Sequence, residues 1–355
     1  MRLNRFLTAL CLMLMVYILL APATAVSAVS GGIDVWAKNV FPVLFPFFIL
    51  SSIIKQTGVM ERIVYRFSKN YFLVFTTVIS LMCGYPTSSK LIGQSKSEIN
   101  PIPVYALATS PSPMFIAGTI AGILLQTPIL AVYILCSVYL SLFTSYMLLK
   151  RFYKNEKAPA FLPPKESTLP LGTLLHNAIT DGLKSQGIIL GIICAVSVLT
   201  AFLEQSGIIG LLTFMLAPFA KVFNFPACAL SPFIRGILEM TTGITALCTS
   251  DISSYHKLML SSFLVSFGGM AVILESVSFI NGKIKTAQII GIKLLHAFFT
   301  CLYLKLIVSI FPITLKTGIY ISSKAYINPL YLLLFSSLGA LIIHGVLRRI
   351  ARPKR

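Results

Sequence analysis

Between Leu81 and Gly122 the chain is apolar enough to lie in a membrane, yet Gly84, Pro86, Pro101, Pro103, Pro111 and Pro113 interrupt it, with Lys90 close by. Proline removes a backbone donor and clashes with the preceding helical turn. Hydrocarbon offers no water to replace the lost hydrogen bonds. Irregular backbone therefore survives at membrane depth only where protein covers it or where it lines a cavity. Transporters hold their substrates at broken helices of this kind. The plain alternative is a pair of proline-kinked spanning helices.

Composition removes the soluble classes. Of 355 residues, 56% are hydrophobic and only 11% charged, with a mean hydropathy of +0.88. That is too little charge to cover a soluble domain of this size, so the chain reads as an all-α polytopic membrane protein. The net charge of +19 lies in short basic clusters between apolar runs, not in a stripe with interleaved aromatics. This is the excess of cytoplasmic Lys and Arg found in membrane proteins, and no nucleic-acid partner is expected. The seven cysteines, Cys11, Cys83, Cys136, Cys194, Cys228, Cys248 and Cys301, form no CxxC pair, and all lie in apolar segments. No disulfide framework and no metal site is expected.

The chain divides at 1–30, 31–149, 150–171, 172–312 and 313–355. The first part is basic (Arg2, Arg5) and then apolar from Phe6 to about Val29. It reads as a retained N-terminal helix starting inside, with a cleaved signal peptide as the alternative. Val59–Asn70 is amphipathic and carries Arg62, Arg66 and Lys69, which fits an interfacial helix on the cytoplasmic side. The basic 150–171 loop and the C-terminal tail after a last helix near Pro329–Leu347 are also expected inside.

Parity then constrains the first half. Three apolar segments, 71–83, 101–125 and 128–149, lie between two inside loops, so one of them does not cross. The proline-broken 101–125 segment is the candidate re-entrant hairpin, with its tip at Ser110–Pro113. The second half repeats the order. EQSGI after the Gly187–Glu204 span echoes KQTGV at Lys55–Val59. ILEMTTG stands where CGYPTSS stood, and SFGGMAV stands where SPSPMFIAG stood, which puts a second tip at Ser266–Gly269. The first unit makes three crossings, so the expected plan is two inverted repeats with broken helices and re-entrant hairpins.

These residues also carry a family resemblance. WAKNVFPVLFPFF, GYPTSSKL and SPSPMFIAG in the first half, with GILEMTTG and SFGGMAV in the second, are similar to the signatures of the YlbJ-type sporulation integral membrane proteins. The resemblance covers about Gly31 to Leu306. It implies two nucleoside-recognition (Gate) domains and an architecture resembling concentrative nucleoside transporters. It also implies a role in building the spore cortex, in the mother-cell or outer forespore membrane. Thr109 and Ser112 stand where members of that family usually carry Asn.

Polar residues inside the apolar segments are the candidates for binding. An intramembrane charge costs about 2.5–3.5 kcal/mol on insertion scales, so it usually faces protein or water. Glu239 and Glu275 are such residues, each readable as a ligand or proton site or as a structural, hydrogen-bonded acid. Thr241 and Thr242 flank the first. Thr87, Ser88, Ser89 and Lys90 follow the first break, and Thr109, Ser110 and Ser112 sit at the proline tip. Hydroxyls there bind ligand or merely satisfy broken backbone, and Lys90 attracts an anion or snorkels to the interface. His296 is readable as a proton relay or as a packed helix histidine.

No catalytic set emerges. There is no Walker loop, and the SxxK at Ser254–Lys257 and KTG at Lys316–Gly318 stand without an SDN partner. The expected function is translocation of a small polar solute, without cofactor. The alternative is a membrane scaffold that recruits spore-envelope partners, with or without homo-oligomer formation.

Overall fold

The computed structural model describes residues 2–59, 62–63, 71–95, 99–153, 169–222, 225–314 and 320–321. The amphipathic 59–70 segment, most of the 150–171 loop, the last helix and the basic tail lie largely or wholly outside the described residues.

The N-terminal helix expected over 6–29 is two helices. α1 (Arg2–Leu20) ends at Ala21, and Pro22 opens α2 (Pro22–Val35) at the first helical position, where its missing N–H costs nothing. A π-helical turn, π1 (Trp36–Val40), joins α2 to α3 (Phe41–Thr57), so the chain is helical for 36 residues. Gly58 and Gly207, the glycines of KQTG and EQSG, are both left-handed and each follows a long helix: α3 and α8 (Leu171–Gln205).

Beyond each of these glycines lies a folded-back pair of short helices. α4 (Tyr71–Cys83) and α5 (Tyr85–Gln94) meet at Gly84, whose φ of 94° and ψ of −174° is a conformation only glycine enters without strain. Phe75, Ile79 and Cys83 of α4 pack with Leu91 of α5, so the two arms lie side by side. In the second half, α9 (Ile208–Val222) is followed by α10 (Leu230–Leu238) and α11 (Met240–Thr249), which meet at Glu239. A Cβ on Gly243 would fall 2.1 Å from the Gly236 Cα and 3.0 Å from the Pro232 carbonyl, so these arms touch backbone to backbone. Small residues permit that approach, and close packing is what holds helices together in lipid. The arms have 13, 10, 9 and 10 residues. At 1.5 Å per residue each reaches roughly 14–20 Å, short of a hydrocarbon core of about 30 Å.

The segments expected to be hairpins are straight. α6 (Pro101–Ala108) starts where the Asn100 side chain accepts the Ile102 N–H at 3.0 Å. It breaks at Thr109–Pro113 and resumes as a π-helix, π2 (Phe115–Leu124). α6 packs on the C-terminal end of α7 (Leu130–Phe152) through Val104, Tyr105 and Leu149, whereas π2 packs on its N-terminal end through Ile116, Ile120, Leu130 and Ile134. The segment therefore runs antiparallel along α7, end to end. α12 (Ser254–Phe267) and α13 (Gly269–Ile280) do the same along α14 (Thr286–Ile310). Leu264 lies in one cluster with Leu304 and Val308, and Ile273 and Ile280 lie in the other with Ile289 and Ile292. The tips placed at Ser110–Pro113 and Ser266–Gly269 are thus mid-helix breaks, and the chain reverses instead at Gly84 and Glu239. Proline interrupts hydrogen bonding without requiring reversal, and parity counts the non-crossing segment without locating it.

Among the described residues, five helices are long and apolar enough to cross a membrane: Pro22–Thr57, Leu130–Phe152, Leu171–Gln205, Ser254–Ile280 and Thr286–Ile310. A two-residue antiparallel pair, Ile313–Thr314 with Tyr320–Ile321, follows the last of them.

Candidate functional site

All four interruptions converge on one cavity of about 50 Å³. Gly84, Tyr85 and Pro86 come from the first reversal, and Glu239, Met240 and Thr241 from the second. Pro111, Ser112 and Phe115 come from the α6–π2 break, and Ala271, Val272 and Glu275 from α13 just past Gly268. Ile189, Ile192 and Ile193 of α8, with Val40 and Leu44, close the remaining wall. A void of this size with polar partners is room for a few waters or a small polar group.

The polar atoms at its edge differ in what they have left to give. Glu239 is extended (φ −139°, ψ 115°) and caps α11: its two carboxylate oxygens accept the Thr241 N–H at 3.0 Å and the Thr242 N–H at 2.7 Å. Thr242 Oγ1 donates to the Glu239 carbonyl at 3.1 Å. An acid at a helix N-terminus satisfies donors that would otherwise be orphaned and meets the positive end of the helix dipole. Ser112 is similarly engaged, accepting the Phe115 N–H at 3.1 Å. Glu275 is not: it is 6% exposed and its Oε1 accepts no hydrogen bond.

Behind Glu275 stands a lysine that sequence reading passed over. Lys293 of α14 is completely buried and interacts electrostatically with Glu275. Its Nζ lies 3.9 Å from the centre of the Tyr85 ring and 3.5 Å from the Thr109 carbonyl. The ammonium is therefore held by the first reversal and the first helix break at once, partly through a cation–π contact. Tyr85 Oη donates to the Val265 carbonyl, and Tyr105 Oη to Ser276 Oγ at 3.1 Å. His296, buried one turn beyond Lys293, lies by the Ala106 backbone, but neither ring nitrogen reaches hydrogen-bond geometry. Lys293 and Lys305 both fall inside the long apolar span of α14, and an intramembrane cation is a signal in itself.

The remaining candidates are dispersed. Thr87 and Lys90 line a second cavity with Ser51, Lys55, Gln94 and Asp181, and Lys90 Nζ donates to Ser185 Oγ at 3.0 Å, which ties α5 to α8. Ser88 and Ser89 donate to the Tyr85 carbonyl at 2.9 and 3.5 Å, repairing backbone after the break. Ser110 Oγ donates to the Pro111 carbonyl at 2.9 Å. Thr109 is buried and contributes its carbonyl to Lys293. No group of three or more metal-ligating side chains occurs among the described residues.

No family model and no solved structure matches the chain. Among curated proteins it is similar to "Sporulation integral membrane protein YlbJ" of Bacillus subtilis (strain 168), 24% identical over 282 residues that cover 71% of this chain and 69% of that protein. The helical, multi-pass architecture agrees with an integral membrane protein, and the similarity supports a YlbJ-type assignment for the chain.

Proposed function

We propose that the protein translocates a small polar solute across the membrane of a sporulating cell and that this movement serves formation of the spore cortex. The observation that carries the reading is the central cavity, where two reversals and two mid-helix breaks meet and which Glu275 lines, a buried acid whose Oε1 has no hydrogen-bond partner. A buried acceptor without a partner is costly, so such an atom fits a site that a donor-bearing solute or water fills. The same order recurs in both halves: long helix, left-handed glycine, folded-back pair, broken helix, long helix. That order supports two inverted Gate-like repeats, with 71–94 and 230–249 as the re-entrant elements. The site uses no cofactor in this reading and performs no covalent chemistry. Sporulation in the relative's name, together with the family resemblance, supports placement in the mother-cell or outer forespore membrane.

The test is uptake of a panel of small polar solutes, nucleosides included, into liposomes holding the purified protein. Glu275→Gln is expected to lower uptake of any transported solute by roughly tenfold or more, since a hydrogen bond to a charged group contributes about 1.5–3 kcal/mol. If no solute enters, and a Glu275→Gln strain builds normal cortex at wild-type protein levels, transport is wrong and the membrane-scaffold reading replaces it.

A further inference from the structure

Glu275 and Lys293 are a full acid and a full base, both inside the helical bundle and on adjacent helices, α13 and α14. A merely structural pair would be expected to close into hydrogen-bonded contact, because the desolvation cost of two buried charges is offset only by good geometry. Glu275 Oε1 instead has no hydrogen-bond partner, and Lys293 spends its contacts on the Tyr85 ring and the Thr109 carbonyl. Glu275 is also the member of the pair that lines the cavity.

We propose that Glu275 is a reversible proton-binding site, held exchangeable by Lys293, so that the ion coupled to events in the cavity is the proton. The inference rests on the translocation reading for its purpose but not for its test. Burial favours the neutral acid, and a nearby ammonium favours the carboxylate. At Glu275 the two effects oppose each other, which is the arrangement a proton site needs to load and unload. The step is simple in its balance. A proton from cavity water bonds to a Glu275 oxygen and gives a carboxylic acid, while Lys293 keeps its own protons. The pair passes from neutral to a single positive charge, which the Tyr85 ring and the Thr109 carbonyl remain placed to stabilise. In the protonated state Glu275 becomes a hydrogen-bond donor, so proton and donor-bearing solute compete for one atom.

The other ionisable groups around Glu275 do not take over this role. On α5 it faces Tyr85 and on α6 Tyr105, two phenols engaged as donors to Val265 and Ser276. Across the cavity Glu239 is occupied by backbone N–H groups on both oxygens. On α14 the neighbours are Lys293 and His296. α8 presents isoleucines to the cavity. The α10 cation, Arg235, pairs with Glu204 at 2.8 Å.

Infrared difference spectroscopy on the full-length protein in liposomes, stepped between about pH 9 and about pH 4 so that the ordinary Glu and His values both fall inside the window, reads the site directly. The expected result is a protonated-carboxyl carbonyl band that grows as pH falls, is lost in Glu275→Gln and persists in Glu239→Gln. The band should be stronger at a given pH in Lys293→Met, because a neighbouring cation no longer favours the carboxylate. If Lys293→Met is not monodisperse on size exclusion, Lys293→Gln serves in its place. Absence of any Glu275-dependent band across this range overturns the proposal, as does a band unchanged by both lysine variants. A failed uptake screen with the band intact removes the transport reading and leaves the proton site standing. Uptake without the band does the reverse.

Discussion

The two chain reversals perform one geometric task with opposite chemistry. At Gly84 the backbone turns because no Cβ obstructs a φ of 94°, and the turn leaves no side chain behind. At Glu239 the backbone is ordinary extended chain, and the turn is stabilised by a carboxylate that closes the N-terminus of α11. The first is a conformational solution, and the second is an electrostatic one bought with an intramembrane acid. An acid near a binding cavity is thus not automatically a ligand group. Of the two glutamates at this cavity, the one at the helix break has both oxygens occupied, and the one on the unbroken helical turn of α13 has an Oε1 without a hydrogen-bond partner.

The comparison breaks most severely at the backbone contact between α10 and α11. Gly243→Leu places a side chain where even a Cβ would overlap the Gly236 Cα. Backbone cannot yield as a flexible side chain does, so the arms must part. Overpacking typically costs about 1–3 kcal/mol, and the upper end or beyond is expected here. Loss of monodisperse protein, or a large drop in thermal midpoint in detergent, is the measurement. A stable Gly243→Leu would show that the arms are not in contact.

Next in size come the two tips themselves. Gly84→Ala forces an alanine into a region that is essentially glycine-only, at a cost on the order of 1–3 kcal/mol. Glu239→Gln keeps shape and one acceptor oxygen but trades the other for an NH₂ donor facing a backbone N–H. A charged hydrogen bond lost in this way costs about 1.5–3 kcal/mol. The two differ in salt and charge dependence rather than in size. Glu239→Asp retains the charge and should restore part of the stability lost in Glu239→Gln, whereas no polar residue at position 84 should rescue Gly84→Ala. From the sequence, Glu239 is readable as a ligand or proton site, where Glu239→Gln strikes function, or as a structural acid, where it strikes stability. The capping geometry redirects its first effect to stability. Equal thermal midpoints for wild type and Glu239→Gln would show that the cap carries nothing.

What the sequence made legible follows from this contrast. Breaks near 84, 109–113, 239 and 268 could be read because proline, glycine and intramembrane acids are locally incompatible with continuous helix. Whether the chain reverses at a break could not be read. Reversal depends on whether the flanking arms find contacts such as Gly236 with Gly243, and those contacts lie seven residues apart with no periodic signature. Half of the site was visible in the same sense. Ser112, Glu239, Thr241 and Glu275 meet at one cavity, but Thr87 and Lys90 face another. Lys293 escaped notice because its surroundings, Tyr85 and Thr109, come from helices about 200 residues away in the chain.

The smallest expected effect concerns a chain of hydroxyls that couples a mid-helix break to the long helices. Ser266 Oγ, two residues before Gly268, donates to Thr300 Oγ1 at 2.8 Å, and Thr300 Oγ1 donates to Ser141 Oγ at 3.0 Å. The three residues belong to α12, α14 and α7, and all are buried. Interhelical hydrogen bonds between side chains in membrane proteins contribute about 0.6 kcal/mol on average, because the separated helices also find partners. Thr300→Val keeps volume and β-branching while removing both bonds, so a loss of roughly 1 kcal/mol is expected, below that at either tip. The variant sharpens the comparison by asking what fixes the second break. If the chain holds α12 in place beside Gly268, Thr300→Val should increase hydrogen exchange in α12 before it does so in α10 or α11. Faster exchange confined to α10 and α11 would assign the restraint to the Glu239 cap alone.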